Sequence, residues 1–222
     1  MKKLNSDLLF SLAIHLDLPN LLNFCSTNTR INDLVCNREH IWRYKLNQDF
    51  PNDFMEFKDL HKAPKDLYIL LWKLKDLKQQ LKLGKILFYI YNLQELDLSR
   101  RKGLVKLPSS LNALEKLKKL KLNSNKLTKL PKLPPSLQYL NVSNNELTEL
   151  PELPSSLQRL YVEYNQLTEL PELPSSLKIL SVYNNKLTKL PKLPPSLQHL
   201  YISDNQLTQE KLKKEYPDII IV

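Results

Sequence analysis

The sequence predicts an α+β fold, in which a small helical module precedes a curved solenoid carrying a parallel β-sheet on its concave face. Three observations predict it. From Leu117 onward the chain repeats itself every 20 residues without an insertion. The first 51 residues instead place their apolar side chains at helical spacing. Between these segments runs one leucine stripe, opened by Pro64 and followed by Gly84. The expected organisation is a helical domain over 1–51, a linker and helical cap over 52–92, and a repeat domain over 93–222 with six units and a C-terminal cap.

In the N-terminal segment, Leu8, Leu9, Leu12 and Leu16 lie on one helical face. Leu18-Pro19 stops that helix, and Pro19-Asn20 opens a second carrying Leu21, Leu22 and Phe24. Asn32, Leu34 and Val35 suggest a third, and Ile41-Trp42 begins a fourth. The opening lysines resemble a signal peptide, but Asp7 and His15 interrupt the apolar stretch and no small-residue cleavage site follows. No apolar run is long enough to span a bilayer. Cys25 and Cys36 are too few for a secreted disulfide framework, so buried free thiols and a cytoplasmic or nuclear location are expected.

Leu4, Asp7, Leu8 and Leu9, then Leu12, Leu16 and Asp17, then Leu21-Leu22, and finally Ile41-Trp42-Arg43 follow in order and spacing the pattern of the F-box family, which this segment resembles. Asn5 departs from the family's usual proline. The resemblance implies docking on the Skp-family adaptor of cullin–RING ubiquitin ligases, with Leu4, Leu8, Leu9, Leu12, Leu21, Leu22 and Trp42 forming the adaptor face or its supporting core. A helical cap that merely shields the first repeat is the alternative. Leu67, Leu70, Leu71, Leu74, Leu77 and Leu81 form the stripe of the next helix, which Gly84 should end. That helix, with residues 86–90, is expected to cover the N-terminal end of the solenoid.

The repeat reads LKKLKLNSNKLTKLPKLPPS, LQYLNVSNNELTELPELPSS, LQRLYVEYNQLTELPELPSS, LKILSVYNNKLTKLPKLPPS and LQHLYISDNQLT, after a longer first unit that starts at Leu93. Leu137, Leu140, Val142, Leu147, Leu150 and Leu153 point inward over their counterparts in neighbouring units, so only stacking buries them. Asn125, Asn145, Asn165, Asn185 and Asn205 recur where the chain leaves the strand, as amides able to bond turn carbonyls. The proline-rich LPELP and LPKLPP segments favour extended backbone. This LxxLxLxxNxLxxLP frame resembles the leucine-rich-repeat family, and its doubled LP resembles the repeats of bacterial secreted effectors. Residues 211–217 and the apolar 219–222 should close the last unit.

Strand alternation turns variable residues outward. A first column holds Lys119, Tyr139, Arg159, Ile179 and His199; a second holds Lys121, Asn141, Tyr161, Ser181 and Tyr201. A third follows with Asn123, Ser143, Glu163, Tyr183 and Ser203, beside Tyr164 and Asp204. Five tyrosines here make a plausible hot spot for an unidentified protein target, with Arg159 and Glu163 adding charge discrimination. Tyrosines that merely favour strand structure are the bland alternative. Outside, Lys129/Lys132, Glu149/Glu152, Glu169/Glu172 and Lys189/Lys192 run plus, minus, minus, plus, as a solvated face can, with a second contact surface as the alternative.

The net charge of +10 concentrates in residues 61–130, which carry 17 Lys/Arg against 5 Asp/Glu. A solvated lysine-rich helix and an acidic partner both fit; the zone lacks the aromatic–basic interleaving of a nucleic-acid site, which argues against that partner. His15, His40, His61 and His199 are scattered without metal-ligand spacing, and two glycines cannot build a phosphate loop. No cofactor or metal is expected. A ubiquitin-ligase domain such as follows similar repeats in effectors has no room after Pro217, so the chain is not expected to be an enzyme. The combined expectation is a monomeric, non-catalytic substrate-recognition subunit of a ubiquitin ligase, acting inside a eukaryotic host cell. The alternative is a repeat scaffold with a helical cap.

Overall fold

In the computed structural model, which describes residues 6–207, 212 and 216–222, the chain divides into two compact units between Phe88 and Tyr89. The first is helical. Asp17 ends the turn after α1 (Ser6–Ala13) and caps α2 (Leu18–Ser26), accepting the Asn20 N–H at 3.1 Å. Pro19 occupies the first turn of α2, where a missing N–H costs nothing. α3 (Thr29–Ile31) continues into a π-helical turn, Asn32–Cys36, followed by α4 (Glu39–Asp49), α5 (Asp53–Glu56) and α6 (Pro64–Gln80).

Cys25 and Cys36 are joined by a disulfide, with their Cα atoms 5.9 Å apart. This corrects the expectation of two free thiols. The π-helical turn folds back on α2 and brings the sulfurs together, a tertiary approach that sequence spacing does not encode.

The unit's core is aromatic at its centre. Tyr68 of α6 lies 5.7 Å from Trp42 and 5.6 Å from Phe50, ring centre to ring centre. Trp42 Nε1 donates to the Cys36 carbonyl at 2.7 Å. Lys45 is only 4% exposed, yet its ammonium donates to the Ile14 and Leu16 carbonyls and pairs with Asp49 at 2.9 Å. Tyr68 donates to the same Asp49 carboxylate at 2.6 Å, so this buried cation is fully matched. Burial first, and then Asp49, hold the Tyr68 phenol far above its ordinary range.

Leu67, Leu70, Leu71, Leu74 and Leu77 are buried as α6 packs on α4. Gly84 does not end this helix. The left-handed residue is Lys82 (φ 51°), and the Leu83 N–H returns to the Lys78 carbonyl at 2.9 Å. A closed C-terminal hydrogen bond outweighs the modest strain of a non-glycine residue there. α7 (Leu87–Tyr91) spans the division between the units.

The second unit is a solenoid. β1 (Glu95–Asp97), β2 (Lys119–Lys121), β3 (Tyr139–Asn141), β4 (Arg159–Tyr161), β5 (Ile179–Ser181) and β6 (His199–Tyr201) pair in parallel and in chain order. β7 (Ile220–Ile221) adds a last parallel strand beside β6, with Ile221 buried. Most of 211–217 lies outside the described residues. The central leucines Leu96, Leu120, Leu140, Leu160, Leu180 and Leu200 stack in one buried row. Leu150 is only half-buried. The extra residues of the first unit are taken up in a turn in which Gly103 adopts φ 91°.

The asparagines interlock the turns. Asn165 Nδ2 donates to the carbonyls of Val142, Val162 and Glu163 at 3.0–3.1 Å, and its Oδ1 accepts the Leu147 N–H at 3.0 Å. Asn145, Asn185 and Asn205 repeat the arrangement. One residue before each sits in left-handed backbone: Ser124, Asn144, Tyr164, Asn184 and Asp204. Asn and Asp tolerate that conformation; a bulky tyrosine is an outlier.

Candidate protein-binding face

In the three-residue strands the central leucine is buried and the flanking positions face outward, so each repeat contributes two outward side chains from the strand and one just beyond it. Register brings Glu95, Lys119, Tyr139, Arg159, Ile179 and His199 into one row, and Asp97, Lys121, Asn141, Tyr161, Ser181 and Tyr201 into the next.

Glu95 and Asp97 were not anticipated. Lys121 pairs with Glu95 at 2.9 Å and Asp97 at 3.5 Å, and Lys119 reaches Glu95 at 3.4 Å. The hydrogen bond from Lys121 is the main cause that lowers Glu95 below its ordinary value, and the same bond raises Lys121. Asp97 is lowered chiefly by its bond from the Ser99 hydroxyl. The basic start of the face is therefore internally compensated. The first unit's LQELDL frame carried the signal, since its two acids occupy the same positions as Lys119 and Lys121.

Further along, the aromatics gather. Lys119 lies over the Tyr139 ring at 5.3 Å, and Tyr139 lies 5.3 Å from Tyr161. Tyr164 and Tyr183 meet edge to face at 5.1 Å, and His199 stacks on Tyr201 at 6.5 Å. Ser181 is buried between Tyr161 and Tyr201 in register, a small side chain beneath two larger neighbours. Asn141 is engaged locally, its Oδ1 accepting from the Ser143 N–H and hydroxyl. Arg159 is open to solvent and Ile179 is half-buried.

Glu163 differs from the open charge its sequence position suggests. It is only 8% exposed, and its Oε2 is buried without a hydrogen-bond partner. Burial first, then the Glu163 charge, raise the Tyr183 phenol. Burial and then Tyr139 raise Tyr161, with Glu163 contributing in the same direction.

In the N-terminal unit the leucines singled out from the sequence separate into two sets. Leu9, Leu21 and Trp42 are core, whereas Leu8, Leu12 and Leu22 are 52%, 49% and 38% exposed. Leu4 lies outside the described residues. Among the described residues no cluster of His, Cys, Asp and Glu could hold a metal ion, and no helix is long and apolar enough to cross a membrane.

A helical region is followed by a parallel-strand solenoid of about six turns, whose 20-residue step and asparagine ladder are consistent with a leucine-rich-repeat fold. A model of leucine-rich repeats in two copies matches residues 135–175, and a single leucine-rich-repeat model matches 196–214. The structure is similar to the leucine-rich-repeat domain of a Shigella effector at 28% identity and TM-score 0.50, over 66% of this chain and 87% of that one. It also matches YopM of Yersinia enterocolitica (38% identity, TM-score 0.42, 51% of this chain) and YopM of Yersinia pestis, a leucine-rich effector protein (31%, 0.44, 62%). This chain spans 29% and 42% of the length of those two YopM chains. Comparison with curated protein sequences gives no match.

Proposed function

We propose that the chain is a non-catalytic adaptor that captures a protein target on the strand face of its repeats and docks on a Skp-family adaptor of a cullin–RING ligase through its F-box-like N-terminus. The observation that carries the docking is the exposure of Leu8, Leu12 and Leu22, large apolar side chains left in water on two short helices while Leu9, Leu21 and Trp42 supply the core. The tyrosine clusters support target capture, because aromatics concentrate where interfaces bind most tightly. Similarity to effector repeats supports action within a eukaryotic host cell, in cytoplasm or nucleus. Those compartments keep thiols reduced, so the N-terminal unit must there hold its fold with Cys25 and Cys36 open.

The test is capture of a purified Skp-family adaptor by the full chain in reducing buffer. Leu8→Ala/Leu12→Ala should abolish capture without unfolding, since both side chains are exposed. Failure of the intact protein to bind, or equal binding by the variant, sinks the docking. A repeat scaffold without a ligase role is the second reading, favoured by family matches that fall on repeat residues alone, and the same experiment separates the two. Target capture is read by proximity labelling in host cells. The Tyr161→Ala/Tyr183→Ala variant should lose partners that the wild type labels, and an unchanged set refutes the face.

A further inference from the structure

We infer that the strand face contains a specific seat for an arginine side chain of the protein target, with Glu163 as the counter-charge and Tyr161, Tyr164 and Tyr183 as the aromatic surround. The inference rests on the reading of the strand face as a binding surface and deepens it.

Three separate observations meet at this point of the solenoid. Glu163 is a carboxylate more than nine-tenths buried whose Oε2 has no donor, although a buried polar atom normally finds one. Arg159 lies on the same face and does not bond that oxygen. Tyr164, next in sequence, is held at φ 51° where the other 20-residue units place Ser, Asn or Asp and the longer first unit places Arg100, and it is 45% exposed. A tyrosine tolerates left-handed backbone less well than the Ser, Asn or Asp of the neighbouring repeats, so strain is added beside Glu163. Tyr183 occupies the place of Glu163 one repeat on; its carbonyl accepts the Tyr164 N–H at 3.2 Å, and its ring packs edge to face on Tyr164.

An unpaired carboxylate in a neighbourhood of tyrosines selects a cation. Ring faces attract cations through their quadrupole, and the carboxylate supplies a charge-assisted bond. Arginine fits better than lysine, because its planar guanidinium is more weakly hydrated, stacks on rings and can present two donors to one carboxylate. Oε2 is closed to water in the unliganded protein, so the guanidinium reaches it only as neighbouring side chains move aside, a motion of nanoseconds for exposed side chains.

The test titrates the full chain, carrying isotope-labelled tyrosines, with N-acetyl-arginine N-methylamide and with its lysine and citrulline analogues. The arginine probe should shift Tyr161, Tyr164 and Tyr183 saturably, the lysine probe more weakly, and the uncharged citrulline probe not at all. Glu163→Gln, which keeps the shape of the side chain, should weaken the arginine probe by roughly tenfold or more, the size of one bond to a charged group. Glu149→Gln, an exposed outer-face carboxylate paired with Lys129, should change nothing. Equal binding of citrulline, absent ring shifts, or unchanged binding by Glu163→Gln overturns the seat. Host-cell labelling lost by the Tyr161/Tyr183 alanines but kept by Glu163→Gln overturns the seat and leaves the binding face standing; labelling kept by both variants overturns both.

Discussion

Replacing Asn165 by alanine removes four hydrogen bonds, but the four are not equal. The Val142 carbonyl also accepts from Asn145, the Val162 carbonyl from Asn185, and the Glu163 carbonyl from the Asn144 N–H. Each acceptor keeps one partner. Only the Leu147 N–H, whose acceptor is Asn165 Oδ1, is orphaned in a buried turn. An orphaned buried group costs about 1–3 kcal/mol, and three partly redundant bonds add a smaller amount, so the expected loss is about 3 kcal/mol. Asn125 provides the internal contrast. Its Oδ1 already lacks a partner, because the equivalent Leu104 N–H donates to the Arg101 carbonyl instead, and it makes only two bonds, to Leu98 and Leu122. Asn125→Ala should therefore cost about half as much. Urea unfolding followed by circular dichroism measures both, and native-state hydrogen exchange should show Leu147 losing protection in Asn165→Ala alone. Equal costs for the two variants, or a protected Leu147 in Asn165→Ala, refute the interlocked ladder.

Opening the Cys25–Cys36 bond, which closes a loop of separation 11, should destabilise the N-terminal unit by about 3 kcal/mol on the chain-entropy model. Trp42 and Trp72 both lie in that unit, so tryptophan emission with and without reductant reads the change while the repeats stay unaffected. Tyr164→Asn should leave stability nearly unchanged, since relief of about 1 kcal/mol of left-handed strain offsets a ring contact of similar size. Tyr164→Val should be clearly destabilising in the same urea assay, because a β-branched residue tolerates that backbone worst. The Glu95 carboxyl, lowered mainly by the Lys121 hydrogen bond, contributes above its unfolded value and loses that contribution as pH falls through the folded one. Lys121, raised by the same bond, contributes below its unfolded value and loses it as pH rises through the folded one. Resonance titration should place Glu95 below the ordinary glutamate midpoint, and Lys121→Met should raise it toward that midpoint, with Lys119 still holding it down.

The repeat was legible because its period is rigid. Once Leu120, Leu140, Leu160, Leu180 and Leu200 align, register and parallel pairing follow with no further information. What sequence spacing could not supply was set by neighbours. Glu163 and Ser181 occupy outward positions by alternation, yet both are buried, because flanking residues decide how much of an outward side chain water reaches. The Lys119 and Lys121 pairing was legible in the frame, since LQELDL places Glu95 and Asp97 opposite them, but columns begun at Lys119 leave those acids out. Residue type also misled at the end of α6, where glycine is the usual left-handed residue but Lys82 takes the role two positions earlier.

The same rigidity explains how an unfavourable cluster persists. A turn locked on both sides by Asn145, Asn165 and Asn185 is over-determined, so its backbone holds shape even with a tyrosine in the left-handed position. The frame thus separates two demands: inward leucines and asparagines fix geometry, while outward positions accept residues that geometry alone would reject. A buried unpaired carboxylate and a strained tyrosine in adjacent positions are hard to explain as packing, since Ser143 and Asn144 fill the equivalent places one repeat earlier without either cost. On the proposed reading of the strand face, Glu163 and Tyr164 are the residues whose loss should spare the fold and remove the partner.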